Sequence, residues 1–246
     1  MNLLREEAGQ LTKDIVKSVG DYDRVEVVLS PPFTSLSVVL EEIADSRIEL
    51  GAQNVATEDW GEYTGEISAP MLVNSGCKWV IVGHSERRNV LGEVDELINA
   101  KIKASLKAGL TVILCVGETL EMRDKDETKM VIESQIVKAL GGLTIEDTER
   151  VVFAYEPVWA IGTGITPTPD EVERVHDFIR HTLGKNFGIS SEHVEILYGG
   201  SVNEDNIEQL LSPSTVNGAL VGRASLKADS FVKIVKIVGE RLKWNS

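Results

Sequence analysis

Seven short runs of β-branched and other apolar residues, each followed by an amphipathic stretch, constrain the fold of this 246-residue chain more than any other feature. The runs are apolar on both faces, which is typical of parallel strands buried between a core and a layer of helices. Their regular alternation with helical segments predicts right-handed crossovers between parallel strands. The predicted strands are residues 25–29, 47–53, 78–83, 110–117, 150–157, 194–200 and 218–222.

The segments between the strands have apolar residues at helical spacing, as at Ile98, Ile102 and Leu106. No linker, low-complexity segment or shift in composition interrupts the series, so a single domain covering residues 1–246 is expected. The predicted helical segments are residues 3–19, 34–45, 95–108, 126–140, 169–184, 203–211 and 229–243.

The number and spacing of these units favour a closed barrel over an open doubly wound sheet, because seven strands follow one another at steps of roughly 22 to 43 residues. A dinucleotide-binding sheet would carry Gly-x-Gly-x-x-Gly after its first strand, and no such pattern follows residues 25–29. A (β/α)8 barrel begins with a strand, whereas this chain begins with a predicted helix. We therefore predict an α/β barrel of the (β/α)8 type whose first strand is absent from this chain.

The net charge limits the partners that the chain can bind. Lysine and arginine total 25 against 39 aspartate and glutamate residues, which gives a net charge of −14 at pH 7. Nucleic acid and anionic membrane surfaces need a concentrated basic face, so neither is an expected partner. An anionic substrate would have to be held by backbone N–H groups, helix N-termini or a few local cations.

The two cysteines, Cys77 and Cys115, lie in separate apolar runs without companion histidines. This pattern predicts reduced thiols, with no disulfide and no metal site. The N-terminal segment is charged and lacks the apolar stretch of a signal peptide, and no run approaches 18 apolar residues. A cytoplasmic protein is therefore expected.

Two candidate catalytic residues end predicted strands, where the active sites of (β/α) barrels lie. His84 follows the strand at 78–83, where a helix can begin; a helix N-terminus disfavours the imidazolium, so a neutral ring could donate a hydrogen bond to a substrate carbonyl. Glu156 precedes an apolar loop that could exclude water, which suits a general base. Taken singly, a loop histidine and an ordinary strand-end acid are the alternatives.

The segment after Glu156 has the composition of a mobile lid. A proline at one end and two glycines at the other resemble hinges around an apolar tip at residues 159–161. An ordinary turn is the alternative for this segment as well. The predicted lid consists of Pro157, Val158, Trp159, Ala160, Ile161, Gly162, Thr163 and Gly164.

Glycine turns follow the last two predicted strands, at residues 199–200 and at Gly222. Glycine lets a phosphate approach backbone N–H groups, and the turns after the final strands of such barrels commonly form a phosphate site. Ser201 could supply a further donor. Each turn alone is a weak signal, but two at successive strands favour phosphate binding.

Six motifs, in this order and spacing, resemble the triosephosphate isomerase family from residue 25 onward. They are GAQNVATEDWGEYTGEIS, VIVGHSERR, LCVGETLE, AYEPVWAIGTG, ILYGGSV and LVGRASL. The resemblance implies a reaction of glycolysis and gluconeogenesis, in which dihydroxyacetone phosphate and glyceraldehyde 3-phosphate interconvert through an enediolate. It also implies that the enzyme needs no cofactor.

The resemblance assigns roles to individual residues, and these roles are carried over from the family rather than deduced from spacing. His84 would be the electrophile, Glu156 the base and Glu86 a support for the site. Cys115 would be a buried packing residue. Backbone groups of four residues would hold the substrate phosphate: Gly162, Ser201, Gly222 and Arg223.

The resemblance also implies a homodimer, because the loop at residues 54–68, with Thr64 near its tip, is similar to the segment that the family inserts into a partner subunit. The aromatic residues Trp60 and Tyr63 suit such a buried contact.

The chain departs from the family pattern at two places. Arg223 stands where the family has a second glycine after the last strand, and its N–H could still bind phosphate. Only Met1 and Asn2 resemble the end of the family's Asn-x-Lys-Met-Asn segment, so its lysine has no counterpart, and Lys13 and Lys17 are expected on the outer helix. We therefore expect reduced activity and a weakened dimer. The alternatives are an impaired phosphate-binding barrel and a non-catalytic association module.

Overall fold

A sheet of seven parallel strands forms the centre of the molecule in a computed structural model that describes residues 1–20, 22–163 and 165–241. Each strand pairs with the next one along the chain, which confirms the predicted order. The strands are β1 (Val28–Leu29), β2 (Glu49–Ala52), β3 (Trp79–Val82), β4 (Thr111–Val116), β5 (Val151–Tyr155), β6 (Ile196–Tyr198) and β7 (Gly218–Ala219).

Helices connect the strands and cover one face of the curled sheet. All seven predicted helical segments contain a helix, and within the described residues four shorter helices join them. The helices are α1 (Arg5–Val19), α2 (Leu36–Ile43), α3 (Ala69–Asn74), α4 (Ser85–Asn89), α5 (Asp95–Lys107), α6 (Leu120–Asp124), α7 (Thr128–Ala139), α8 (Ile145–Thr148), α9 (Pro169–Phe187), α10 (Ile207–Leu210) and α11 (Ala228–Arg241).

Side chains of the sheet divide between two buried clusters, as the period of two along a strand requires. Within β4, Ile113 and Cys115 belong to the inner cluster with Trp79, whereas Leu114 and Val116 pack outward into the larger cluster beneath the helices. Both faces of the strands are therefore apolar, as expected for a (β/α) barrel. Among the described residues, β1 pairs only with β2, and β7 pairs only with β6.

The prediction of a helix over 203–211 was wrong in its first half. The Asn203 side chain accepts hydrogen bonds from the N–H groups of Asp205 and Asn206, at 2.9 and 3.0 Å, which closes a turn and delays α10 to Ile207. The strands are shorter than their apolar runs, since β1 covers only two of the residues predicted at 25–29. Residues 242–243 of the last predicted helix lie outside the described residues.

Strand pairing brings the candidate residues to one end of the sheet. Val82 of β3 is in register with Leu114 of β4, and Tyr155 of β5 is in register with Tyr198 of β6. The carboxyl ends of these strands therefore lie side by side, and the loops that follow them share one face. No helix in the described ranges is long and apolar enough to cross a membrane.

Candidate active site

His84 ends the turn after β3 and caps α4. Its Nδ1 accepts a hydrogen bond from the backbone N–H of Glu86 at 3.3 Å, so we assign the proton of the neutral ring to Nε2. Nε2 lies 3.0 Å from Oε1 of Glu156. His84 therefore lies at the N-terminus of α4, where a helix was predicted to begin.

Glu156 follows β5 directly and is almost completely enclosed, with 2% of its surface exposed. Its Oε2 accepts a hydrogen bond from the backbone N–H of Ser85 at 2.8 Å. Burial raises the pKa of Glu156, while His84, the Ser85 N–H, the Cys115 thiol and Arg88 oppose this rise. Glu156 therefore has an increased proton affinity, and its ionised form is still stabilised by hydrogen-bond donors. Both properties suit a general base.

Two glycines leave room for Glu156, and this steric role was not predicted. A Cβ atom on Gly199 would lie 2.8 Å from Cγ of Glu156, and one on Gly117 would lie 1.8 Å from its carbonyl oxygen. The double glycine after β6 was assigned to phosphate binding alone. Its first member is also required because the base packs against its backbone.

The lid begins with a single 3₁₀ turn over Val158–Ala160. Trp159 was predicted at the tip, and this prediction was wrong because its side chain is buried. Its Nε1 donates to Oε1 of Glu118 at 2.8 Å, and the guanidinium of Arg123 stacks on the indole with Cζ 3.7 Å from the ring centroid. A large ring with a polar N–H is most stable when the ring is buried and the N–H has an acceptor. Because Trp159 has both, it holds this end of the lid in place. Ala160, also predicted at the tip, is buried as well. Ile161, Gly162 and Thr163 form the exposed part, and Gly164 lies outside the described residues.

Glu118 holds the base of the lid and was missed as a site residue. Its Oε1 also accepts from the hydroxyl of Tyr155 at 3.1 Å, and its carbonyl oxygen accepts from the N–H of Val158 at 3.1 Å. Burial raises the pKa of Glu118, although the donors Trp159 and Tyr155 partly offset it. Its position directly after the predicted strand at 110–117 and the LCVGETLE motif were the available signals, but neither shows the contact with Trp159, which spans 41 positions.

The lid meets the turn after β6 at Ser201. Gly162 donates its N–H to Oγ of Ser201 at 3.3 Å, and the same hydroxyl donates to the carbonyl oxygen of Ala160 at 2.9 Å. After β7, Gly222 and Arg223 are exposed, and in the described part of the chain their N–H groups donate to no other backbone or side-chain group. Two of the predicted phosphate-binding residues thus touch, and the other two follow the adjacent strand.

A family model described as "Triosephosphate isomerase" matches residues 1–238 of this chain. The chain belongs to the triosephosphate isomerase family. The triosephosphate isomerase of Carboxydothermus hydrogenoformans is 51% identical over 231 residues, covering 94% of this chain and 92% of the relative. The triosephosphate isomerase of Rhodopirellula baltica is 48% identical over 237 residues, covering 96% of this chain and 93% of the relative. The crystal structure of triosephosphate isomerase from Bartonella henselae has a TM-score of 0.86 and 40% identity, covering 96% of this chain and 94% of that one.

Glu86, which the family resemblance assigns to the site, contributes mainly through its backbone. Its side chain is 77% exposed, and its Oε2 lies 3.8 Å from Nδ1 of His84, which is too far for a hydrogen bond. The support that Glu86 gives to His84 is the 3.3 Å bond from its N–H. Glu86 therefore contacts the histidine through its backbone N–H and not through its carboxylate.

The structure also places the other residues that the sequence singled out. Cys115 is completely buried beside Glu156, and burial raises the pKa of its thiol well above the usual value, which suits packing rather than nucleophilic attack. Thr64 is exposed on the loop at 54–68. Lys13 pairs with Glu42 of α2 at 3.2 Å on the helical layer. Among the described residues, no cluster of three or more His, Cys, Asp or Glu could hold a metal ion.

Proposed function

We propose that this chain interconverts dihydroxyacetone phosphate and glyceraldehyde 3-phosphate, with Glu156 as the base and His84 as the electrophile. The observation that carries the proposal is the 3.0 Å contact between the buried Glu156 carboxylate and Nε2 of the helix-capping His84. A base with raised proton affinity and a neutral hydrogen-bond donor at adjacent strand ends is what proton transfer next to a carbonyl requires.

The reaction moves one proton and changes no oxidation state overall. Glu156 removes a proton from C1 of dihydroxyacetone phosphate, and the C–H electron pair forms the C1–C2 double bond. The carbonyl electrons move to the oxygen on C2, where Nε2–H of His84 stabilises the enediolate. Glu156 then returns a proton to C2, while the O1 proton is lost and one is gained on the C2 oxygen. The product is the aldehyde.

Backbone groups hold the phosphate in this proposal. The N–H groups of Gly162, Ser201, Gly222 and Arg223 come from loops that follow neighbouring strands. Fixing the phosphate orients C1 and C2 against the base, which turns proton transfer into an intramolecular step. Because the whole chain carries a charge of −14, local donors have to overcome an unfavourable overall field.

Steady-state kinetics on the 246-residue chain test these roles. We expect Glu156→Asp and His84→Gln each to lower kcat/KM by about 10²–10⁴-fold. Both variants should give the circular dichroism spectrum of the unmodified chain. Glu121→Gln is the matched control, because its carboxylate is highly exposed on α6 and pairs only with Lys125 in the described structure. Unchanged kcat/KM in Glu156→Asp would contradict the assignment.

We further propose that two copies of the chain associate through the loop at 54–68. Trp60 is 72% exposed and Tyr63 is 52% exposed, although the loop itself is ordered by an N–H bond from Ala56 to the carbonyl of Ile67 at 2.8 Å. Exposed aromatic residues on an ordered loop are typical of an interface. Val90 and Leu91 are two further exposed apolar residues.

Sedimentation tests the association. We expect a dimer at micromolar concentration that dissociates at nanomolar concentration, and we expect Trp60→Ser with Tyr63→Ser to give a monomer throughout. A tight dimer at nanomolar concentration would contradict the weakened association expected from the sequence, and a monomer at every concentration would exclude the dimer.

We also propose that residues 1–246 form one domain that acts in the cytoplasm. One apolar cluster extends from Ala8 to Val238, which supports a single unit. Both cysteines are free and buried, which is typical of a reducing compartment.

A further inference from the structure

Arg88 contacts the carboxyl ends of two neighbouring strands from the end of α4. Its Nε donates to the carbonyl oxygen of Gly83 at 2.8 Å, and its Nη2 donates to that of Cys115 at 3.2 Å. Its Nη1 pairs with Oδ1 of Asp95 at 2.6 Å. The side chain is 10% exposed and that of Asp95 is 15% exposed, so water competes little for these contacts.

These two carbonyl groups belong to the backbone that carries the catalytic pair. Gly83 is bonded to His84, so fixing its carbonyl fixes the peptide plane before the histidine. Cys115 lies on β4 with its thiol beside the Glu156 carboxyl group. The guanidinium of Arg88 therefore connects the end of β3, which carries His84, to Cys115, the β4 residue that contacts Glu156.

The sequence leaves space for this arrangement at Gly83. Its φ is +73°, a conformation that side chains disfavour. A Cβ atom there would lie 3.1 Å from Nη2 of Arg88 and 3.2 Å from the carbonyl oxygen of Cys115. The glycine before His84 thus permits the approach of the guanidinium.

We propose that Arg88 is a positioning residue for the isomerase reaction, holding the ends of β3 and β4 so that Nε2 of His84 and the carboxylate of Glu156 keep their contact. The proposal rests on the proposed function. Arg88 has no contact with the reacting atoms, so its role is to place the two groups that do.

The charges around the pair give this role a distinct signature. Glu156 faces His84, the Cys115 thiol and the positive charge of Arg88, which favours the ionised carboxylate. Arg88 faces Asp95, and Lys138 lies 3.8 Å from the second oxygen of Asp95 and 3.9 Å from Glu96. Removing Arg88 should raise the pKa of Glu156. Removing the charge of Asp95 leaves the positive charge of Arg88 without its partner, which should lower the pKa of Glu156.

The test compares Arg88→Gln, Arg88→Lys and Asp95→Asn with the unmodified chain. Two readouts are used: the pH dependence of kcat/KM, and the titration of the Glu156 carboxyl followed by carbon-13 NMR and assigned with Glu156→Gln. For Arg88→Gln we expect kcat about 10²-fold lower, KM within about twofold, and the acid limb and the titration moved to higher pH. Asp95→Asn should move both to lower pH. Arg88→Lys should keep the wild-type titration but lose kcat, because lysine cannot reach both carbonyls.

Arg87→Gln is the matched control, since it removes the same charge from the same helix and breaks a comparable pair with Glu93 at 2.6 Å, without touching β3 or β4. It should leave the titration unchanged. The proposal is overturned if Arg88→Gln keeps the wild-type kcat and titration, or if Arg88→Gln and Asp95→Asn move the titration in the same direction.

The same variants and readouts decide two further outcomes. If Arg88→Gln does not unfold cooperatively, the other two variants decide. A reduced kcat in Arg88→Lys, together with a Glu156 titration moved to lower pH in Asp95→Asn, supports the proposal. Wild-type kcat and titration in both variants overturn it. An unmodified chain without isomerase activity would contradict the proposed function. The titration needs no turnover, so it tests the positioning role separately.

Discussion

Residues of one type differ in chemistry across this molecule because their surroundings differ. Burial raises the pKa of Glu156, whereas a hydrogen bond from Lys185 lowers the pKa of the partly exposed Glu133. His84 lies at the mouth of the barrel with both ring nitrogens in contact with polar groups. His176 is fully buried in α9, and within the described part of the chain only its Nδ1 has a hydrogen-bonding partner, the carbonyl oxygen of Thr215 at 3.1 Å. The position in the fold, more than the residue type, separates catalytic from structural groups.

His176 should make the stability of the protein depend on pH. Burial lowers its pKa to about 4, whereas the unfolded chain retains the ordinary value of 6.5. Below pH 6.5 the unfolded state therefore binds a proton that the folded state refuses. The associated stability, up to about 3 kcal/mol, is present above pH 6.5 and is lost as the pH falls towards 4.

Urea unfolding between pH 7.5 and 4.5 measures this dependence. We expect His176→Asn to flatten the dependence, whatever it does to stability at neutral pH, and we expect the exposed control His181→Asn to leave it as it is. An equally steep dependence in His176→Asn would exclude His176 as its source.

Elements with several periods of a pattern could be predicted from the sequence, and those with one turn could not. The seven strands and the long helices were predicted in order, and α9 has clear end signals in the capping box of Thr168 with Glu171 and the left-handed Gly188. The helices α3, α6 and α8 have four to six residues, which is too short to show a 3.6-residue period.

The candidate site shows the same limit. His84, Glu156 and the glycine turns were found because they end strands, a position that the order of elements defines. Glu118 and Arg88 were missed because their partners are distant in sequence: Trp159 lies 41 positions from Glu118, and Cys115 lies 27 positions from Arg88. Such contacts exist only after the elements have packed.

At the junction of α9 with β6 and β7, the guanidinium of Arg180 contacts a neutral amide, that of Asn217. Oδ1 of Asn217 accepts from Nη2 of Arg180 at 2.7 Å and from the N–H of Ile196 at 2.9 Å. Nη1 of Arg180 is buried and has no partner among the described residues. A carboxylate at position 217 would keep both bonds and offer a second oxygen to the guanidinium.

We therefore predict that Asn217→Asp raises the free energy of unfolding by about 1 kcal/mol at pH 7. Urea unfolding in a double-mutant cycle with Arg180→Gln measures the coupling. The gain should vanish in the Arg180→Gln background. An equal gain in both backgrounds would show that the new carboxylate does not interact with Arg180.

At the scale of the whole molecule, the sheet is curled and has two edges within the described residues, at β1 and at β7. An edge presents backbone N–H and C=O groups without strand partners, and each such group that is buried costs about 1–3 kcal/mol. The free-energy cost of a few such groups is comparable with the ~5–15 kcal/mol that stabilises a whole domain. The charge of −14 adds self-repulsion to the same balance.

We accordingly predict that the 246-residue polypeptide melts below about 65 °C, within the range of ordinary mesophilic domains. Differential scanning calorimetry gives the transition, and added salt should raise the melting temperature by screening the net charge. A cooperative transition above about 65 °C would show that the two edges cost less than this estimate.

The central claim is that Glu156 moves a proton at carbon, and hydrogen exchange at C1 of dihydroxyacetone phosphate in D₂O tests it most directly. A carboxylate fixed on one side of the substrate can remove only one of the two C1 hydrogens. Proton NMR of the incubated substrate should therefore show one hydrogen replaced by deuterium with the unmodified chain, and replacement at least about 10²-fold slower with Glu156→Gln. Exchange at the same rate in Glu156→Gln, or none above buffer with the unmodified chain, would contradict the account.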